Sequence, residues 1–171
     1  MSDPAAFQLN ILDGTWGSLR LGYDAAGAWS TLQHVGPAGV ALSLTPADFE
    51  SYDWAGQVLT LTSDATQRVV AHFAHSDEER EYPEAALDQR GFVARLGGHP
   101  IYGGIFLHQM SSMGIGFPVI YASTAGGKLA FTLRPVHSIL GDYRSQGPAW
   151  SGIKDPQVRE ALAQSGKLAA G

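Results

Sequence analysis

Glycine and proline cut this chain into short pieces, and that punctuation constrains its fold more than any other feature. Twenty-one glycines and nine prolines fall between apolar runs of about six to eight residues, which is a strand length rather than a helix length. The runs at 7–12, 16–23, 28–35, 39–44, 57–63, 67–74, 91–97, 101–109, 117–123 and 128–135 carry β-branched and aromatic residues and read as strands. The chain is therefore expected to be all-β: a single-domain antiparallel β-barrel, or else a sandwich, of about 8–10 strands across residues 1–171.

The connections agree with a meander. "DAAG" (24–27), "SDAT" (63–66) and "TAGG" (124–127) are short and polar or glycine-containing, as hairpin loops should be. In 117–135 the alternation places Leu129, Phe131 and Leu133 on one face and Lys128, Thr132 and Arg134 on the other. A short C-terminal helix is expected at about 155–165, with Asp155 as cap, Pro156 at the first helical position, Val158 and Leu162 four apart, and Gly166 as stop. Residues 45–54, opening on Thr45, and 82–91, after Pro83, each have the makings of a helical turn, and 143–152 reads as a loose connection.

Charge and composition exclude several function classes. The net charge is −5, with 11 Lys and Arg and no basic cluster, so neither a nucleic-acid nor an anionic-membrane footprint is present. There is no cysteine, which removes thiolate chemistry and disulfides and fits a reducing compartment. The N-terminal residues lack a signal-peptide pattern and no run approaches the length of a membrane span, so a cytoplasmic location is expected. Nothing calls for a cofactor.

The stretch "RVVAHFAHSDEERE" (68–81) raises the question of metal binding. On a strand, His72 shares a face with Arg68 and Val70 while His75 points the other way, so the pair converges on an ion only if the chain bends. Read plainly, the strand runs out through His75 into a solvated charged segment. His72, His75 and Glu79, with His108 from "GHPIYGGIFLH", loosely resemble the metal motifs of the cupins, although cupins space their first two histidines two apart rather than three. That resemblance implies a divalent ion held by these four residues.

A second resemblance rests on Gly14, Thr15 and Trp16 in "DGTWGSLRLGY". It is similar to the Gly-x-Trp entry of the lipocalins and the wider calycin barrels. The resemblance implies a tryptophan closing one end of a barrel, a basic residue across its indole, here Arg134, and a small apolar ligand inside.

The remaining candidates gather around "HQMSSMGIGFP" (108–118), a connection whose methionines and phenylalanine need an apolar place to go. It reads either as a loop folded over the core or as a portal to a ligand cavity. The expected function is binding of a small, largely apolar molecule in the barrel, contacted by Tyr102, Phe106, His108, Met110, Met113, Tyr121 and Arg134, with Tyr102, Phe106 and His108 on one strand wall. The alternatives are a barrel enzyme such as a cyclase, isomerase or hydro-lyase, with His72 or His108 as general acid or base, and a structural or protein-interaction module. Ser111, Ser112, His137 and Asp142 supply the residue types of a nucleophilic triad without its Gly-x-Ser-x-Gly elbow.

Overall fold

In a computed structural model, which describes residues 6–138 and 152–169, the chain forms one eight-stranded sheet. In chain order its elements are β1 (Phe7–Thr15), α1 (Ala25–Leu32), β2 (Val40–Leu44), β3 (Phe49–Asp53), β4 (Val58–Leu61), α2 (Ser63–Phe73), α3 (Asp77–Glu81), α4 (Pro83–Leu87), β5 (Arg90–Leu96), β6 (His99–Phe106), β7 (Val119–Ala125), β8 (Lys128–Arg134) and α5 (Pro156–Gln164). The strand order is β2-β1-β5-β6-β7-β8-β4-β3. Every pair is antiparallel except β6 and β7, which run parallel. The fold is thus mostly β in an open mixed sheet with helices, and the all-β antiparallel expectation overstated it.

The two edge strands are consecutive in the chain. A single 3-10 turn, Pro46–Asp48, joins β2 to β3, capped reciprocally by Thr45 and Asp48. Phe7 on β1 accordingly meets Phe49 and Tyr52 on β3, at 6.1 and 6.3 Å between ring centroids, although these strands stand near opposite ends of the hydrogen-bonded order. The sheet is curled about its concave face, and its edges approach without forming a ladder. The free edge of β3 is covered by the segment after α5: the Tyr52 amide donates to the Lys167 carbonyl at 2.7 Å and the Ala169 amide to the Tyr52 carbonyl at 2.9 Å.

The concave face is filled by side chains. Phe92, Phe106 and Phe131 pack edge-on in sequence at 5.8 and 5.1 Å, and Ala65, Val69 and Phe73 of α2 with Val158 and Leu162 of α5 close over them. The convex face carries a second cluster, where Ala28 and Leu32 of α1 and Ile115 and Phe117 cover Val93, Ile105 and Val119. The central strands are therefore buried on both faces, as Phe92–Ala94 and Tyr102–Phe106 show, whereas β8 alternates buried and half-buried as its sequence predicts.

Four segments differ from expectation, each for a local reason. The run 67–74 belongs to α2: Thr62 accepts the Ala65 amide as N-cap, and Ala65, Val69 and Phe73 recur every four residues, so "SDAT" (63–66) is the first turn of a helix rather than a hairpin loop. His72 therefore lies on a helix, not on a strand beside Val70. Residues 28–35 overlap α1, capped by Asp24 through the Gly27 amide. The run 16–23 is a compact turn in which the Trp16 indole donates to the Gly22 carbonyl at 2.6 Å and Arg20 takes a φ of 54°. Conversely 49–53 is a strand, and a bulge between Phe49 and Ser51 spaces its two inward residues three apart, imitating helical periodicity. The hairpin at 124–127, the turn after Pro83 and the C-terminal helix with its Asp155 cap stand as expected. The connection at 143–152 lies outside the described residues apart from Gly152.

Within the concave core sit two buried phenols. The Tyr52 hydroxyl donates to Gln57 Oε1 at 2.6 Å, and Gln57 Nε2 in turn to the Trp54 carbonyl at 2.8 Å. The Tyr102 hydroxyl faces Tyr52 but makes no well-aligned hydrogen bond. Burial pushes the ionisation of both well above the ordinary phenol range, and for Tyr102 the neighbouring Tyr52 adds to it. A raised folded value means that the neutral phenols favour the fold fully below the unfolded pKa of about 10, and that this advantage is lost as pH climbs through the folded values. Stability measured by urea unfolding should therefore fall above about pH 10. Tyr102→Phe, which removes an unpaired hydroxyl, should be as stable as the parent or more so at pH 8 and fall less steeply in alkali; a loss of about 2 kcal/mol at pH 8 would show that the hydroxyl is well bonded.

Candidate functional site

The site grows from the parallel pair. β6 and β7 are in register only at Ile105–Val119 and Phe106–Ile120, with Ile105 N–H on the Pro118 carbonyl at 3.2 Å and Leu107 N–H on the Ile120 carbonyl at 3.0 Å. Gly104 lies so close to Pro118 that a Cβ would stand 1.6 Å from its carbonyl oxygen. Past Leu107 the chain turns away, and the His108 amide donates to Asp88 Oδ1 at 3.2 Å. β7 runs on to Ala125 with β8 as its remaining partner. Since the Ile120 carbonyl points toward β6, the main-chain groups of Ala122 and Thr124, two and four residues on, point the same way into the gap.

That gap is a cleft of about 710 Å³. Phe106, Leu107, Tyr121 and Ala122 contribute to its apolar lining; Glu78, Glu84 and Asp88 bring three carboxylates, and among the described residues no Lys or Arg lines it. α3, capped by Ser76 on the Glu79 amide at 3.1 Å, and α4, begun by Pro83, place these acids. Thr124 Oγ1 donates to Glu84 Oε2 at 2.9 Å, tying α4 to the open edge of β7. Tyr82 and Met110, at 52% and 72% exposure, are two of the three large apolar side chains left in solvent among the described residues, and both line this cleft.

The 108–118 connection divides in function. Its second half folds over the convex core through Ile115 and Phe117. It is fastened by His137, whose main chain exchanges two 2.9 Å hydrogen bonds with Ile115. The His137 ring is buried: Nε2 lies 2.8 Å from the Ser111 carbonyl, which can only accept, so Nε2 carries the proton. In the neutral ring Nδ1, 2.5 Å from Tyr121 Oη, then accepts from the phenol. The Ser111 hydroxyl meanwhile accepts the Met113 amide at 3.2 Å and does not meet the imidazole. Its first half, His108 to Met110, stays exposed on the cleft, and the Met110 amide donates to His108 Nδ1 at 3.0 Å.

Of the seven ligand contacts expected from sequence, Phe106, His108, Met110 and Tyr121 come together at this cleft. Tyr102 lies in the concave core, and its shared strand wall with His108 does not form because β6 ends at Phe106. Met113 packs half-buried on the convex cluster, and Arg134 donates to the carbonyls of Gly56 and Leu133. His72 is exposed on α2 against Phe73, His75 is exposed beyond it, and Glu79 sits on α3. Among the described residues no group of three or more His, Asp or Glu is arranged to hold a metal ion, and Asp142 lies outside them. Trp16 follows the end of β1 and packs on Tyr23 at 5.4 Å, and among the described residues the cation–π contact is made by Arg90 over Phe73.

Glu78, Tyr82, Glu84 and Asp88 were missed as site residues. Their sequence signal was a charged segment read as solvated, followed by a stretch read as a helical turn, and nothing in either announces a facing strand about forty residues later. No family model, curated protein or solved structure matches the chain. Among the described residues no helix is long and apolar enough to cross a membrane.

Two substitutions test this construction. Gly104→Ala should destabilise by about 3 kcal/mol, since the carbonyl it strikes is backbone, while Gly17→Ala, with open space around it, should be nearly neutral; equal midpoints in urea would contradict the close approach. Tyr121→Phe leaves His137 Nδ1 without its donor and should cost about 1–3 kcal/mol. Hydrogen exchange at the Ile115 and His137 amides should speed up selectively, and uniform protection across the variant would argue against the fastening role.

Proposed function

We propose that this protein binds a small, largely apolar molecule in the cleft where β6 and β7 part. The observation that carries this reading is the pairing of Tyr82 with Met110: two exposed large apolar side chains on one 710 Å³ cleft, in a chain whose other aromatic rings are mostly packed away. The carboxylates of Glu78, Glu84 and Asp88 favour a ligand with a cationic or hydrogen-bond-donating end. The free main-chain groups of Ala122 and Thr124 offer it further polar contacts.

This reading moves the ligand from the inside of the curl to a split in its wall. The concave face holds packed phenylalanines, which favours the outer position. Binding is favoured over catalysis because His72 lies outside the cleft and His108 stands there without a second imidazole. A smaller apolar cavity of about 500 Å³, between Trp29 of α1 and Ile101 and Phe117, competes for the same class of ligand.

Nile red, a neutral apolar dye, tests the assignment. Tyr82→Ala and Met110→Ala should each weaken its binding about fivefold to tenfold, the loss of roughly 1 kcal/mol of apolar contact, with little change in Tm since both side chains are exposed. Tyr23→Ala, which removes the third large apolar side chain exposed among the described residues, should leave binding unchanged. Weakening by Trp29→Ala alone would place the dye in the smaller cavity and defeat the proposal.

A further inference from the structure

On the other side of the sheet, a polar cavity of about 780 Å³ lies beside the outer faces of β1, β2 and β5. Among the described residues its lining contains Arg68, Arg95 and His34 and no carboxylate, in a chain with 16 acidic residues against 11 basic ones. We infer that it is a binding site for a small molecule carrying a carboxylate or phosphate group, anchored by Arg95 and Asn10.

Register builds the anchor. Gln8 stands opposite Arg95, and Asn10 opposite Ser43, so these side chains form one polar patch across three strands. Arg95 is held at both ends: one terminal nitrogen donates to the Val35 carbonyl at 3.0 Å and the other to the Gly98 carbonyl at 3.2 Å. Two carbonyls fix the guanidinium without neutralising it, and Arg95 has no ion-pair partner among the described residues. A guanidinium fixed this way has further N–H donors to present to an anion without losing its own freedom.

Asn10 supplies the second donor. It is 4% exposed, and its Oδ1 is occupied by the Ser43 hydroxyl at 2.9 Å. The Nδ2 amide has no partner among the described residues and is not sealed from solvent, and Asn10 is one of the residues lining the cavity. A buried amide with an occupied acceptor and free donors selects an acceptor-rich group. Arg68, neutralised at the rim by Asp48 at 2.5 Å, adds a donor without a net charge.

The test is titration with citrate, inorganic phosphate and glucose 6-phosphate at constant ionic strength in sodium chloride. It is followed through the Arg95 Nε–H and the Asn10 and Gln8 side-chain amide resonances. At least one probe should saturate with shifts confined to these groups, and the pattern across the three separates carboxylate from phosphate preference. Arg95→Gln should lower affinity at least about tenfold. Asn10→Asp, which keeps the shape but opposes an anion, should abolish binding while the circular dichroism spectrum stays unchanged. Arg134→Gln, outside the cavity, should bind as the parent does. The proposal is overturned by a lack of saturation up to about 10 mM with all three probes, or by affinity equal to the parent's in Arg95→Gln and Asn10→Asp.

Discussion

Where Gly104 would carry a Cβ, the structure has the carbonyl oxygen of Pro118, and much of the architecture follows from that contact. It lets β6 and β7 approach closely enough for two residue pairs to bond in parallel. A parallel pair cannot be joined by a tight hairpin, so the 107–118 connection must travel, and it spends its length covering the convex core and then leaving the strand plane. The same shortness of the pairing frees β7 from Tyr121 onward. One glycine thus accounts both for the connection that His137 fastens and for the cleft beside it.

What the sequence reveals of this fold depends on whether a segment's neighbours obey its own periodicity. β8 was legible because one of its faces is buried and the other half-exposed, so alternation survives; β1, buried on both faces from Leu9 to Leu12, was legible as a short apolar run. β3 was not, because Thr45 offers a helix cap just before it and a bulge shifts Tyr52 by one residue, so that its two inward side chains stand three apart instead of alternating. α2 was hidden by Val69, Val70 and Phe73, residues that favour strands, although only Val69 and Phe73, four apart, face the core while Val70 is half-buried. In α1, Gly27 and the polar Ser30 and Thr31 leave Ala28 and Leu32 as the two fully buried positions, too thin a stripe to assert a helix. The reversal of direction between β6 and β7 leaves no local trace, since nothing in either strand reports which way its neighbour runs.

The candidate site was legible to a similar degree. Met110 and His108 stood out because apolar residues in a connection demand a surface to lie on, and Tyr121 and Phe106 flank that connection. Glu78, Glu84 and Asp88 come from helices that meet β7 only through tertiary packing, the Thr124–Glu84 bond among them. Asn10 and Arg95 carry no signal at all in sequence, because their relation is a matter of strand register across eighty-odd residues.

The curl of the sheet separates structural from ligand-facing chemistry. Bringing β1 against β3 buries rings at centroid distances of 5.1 to 6.4 Å across the concave face, and such a core gains stability from close packing. Its polar members, Tyr52 and Gln57, satisfy each other, and the Tyr102 hydroxyl is tolerated at a cost. Unspent donors and exposed apolar side chains lie instead where strands lose neighbours: at the parting of β6 and β7, and beside β2 at the sheet's edge. Both proposed sites occupy those places, because there a polar group stays accessible without opening a hole in the core.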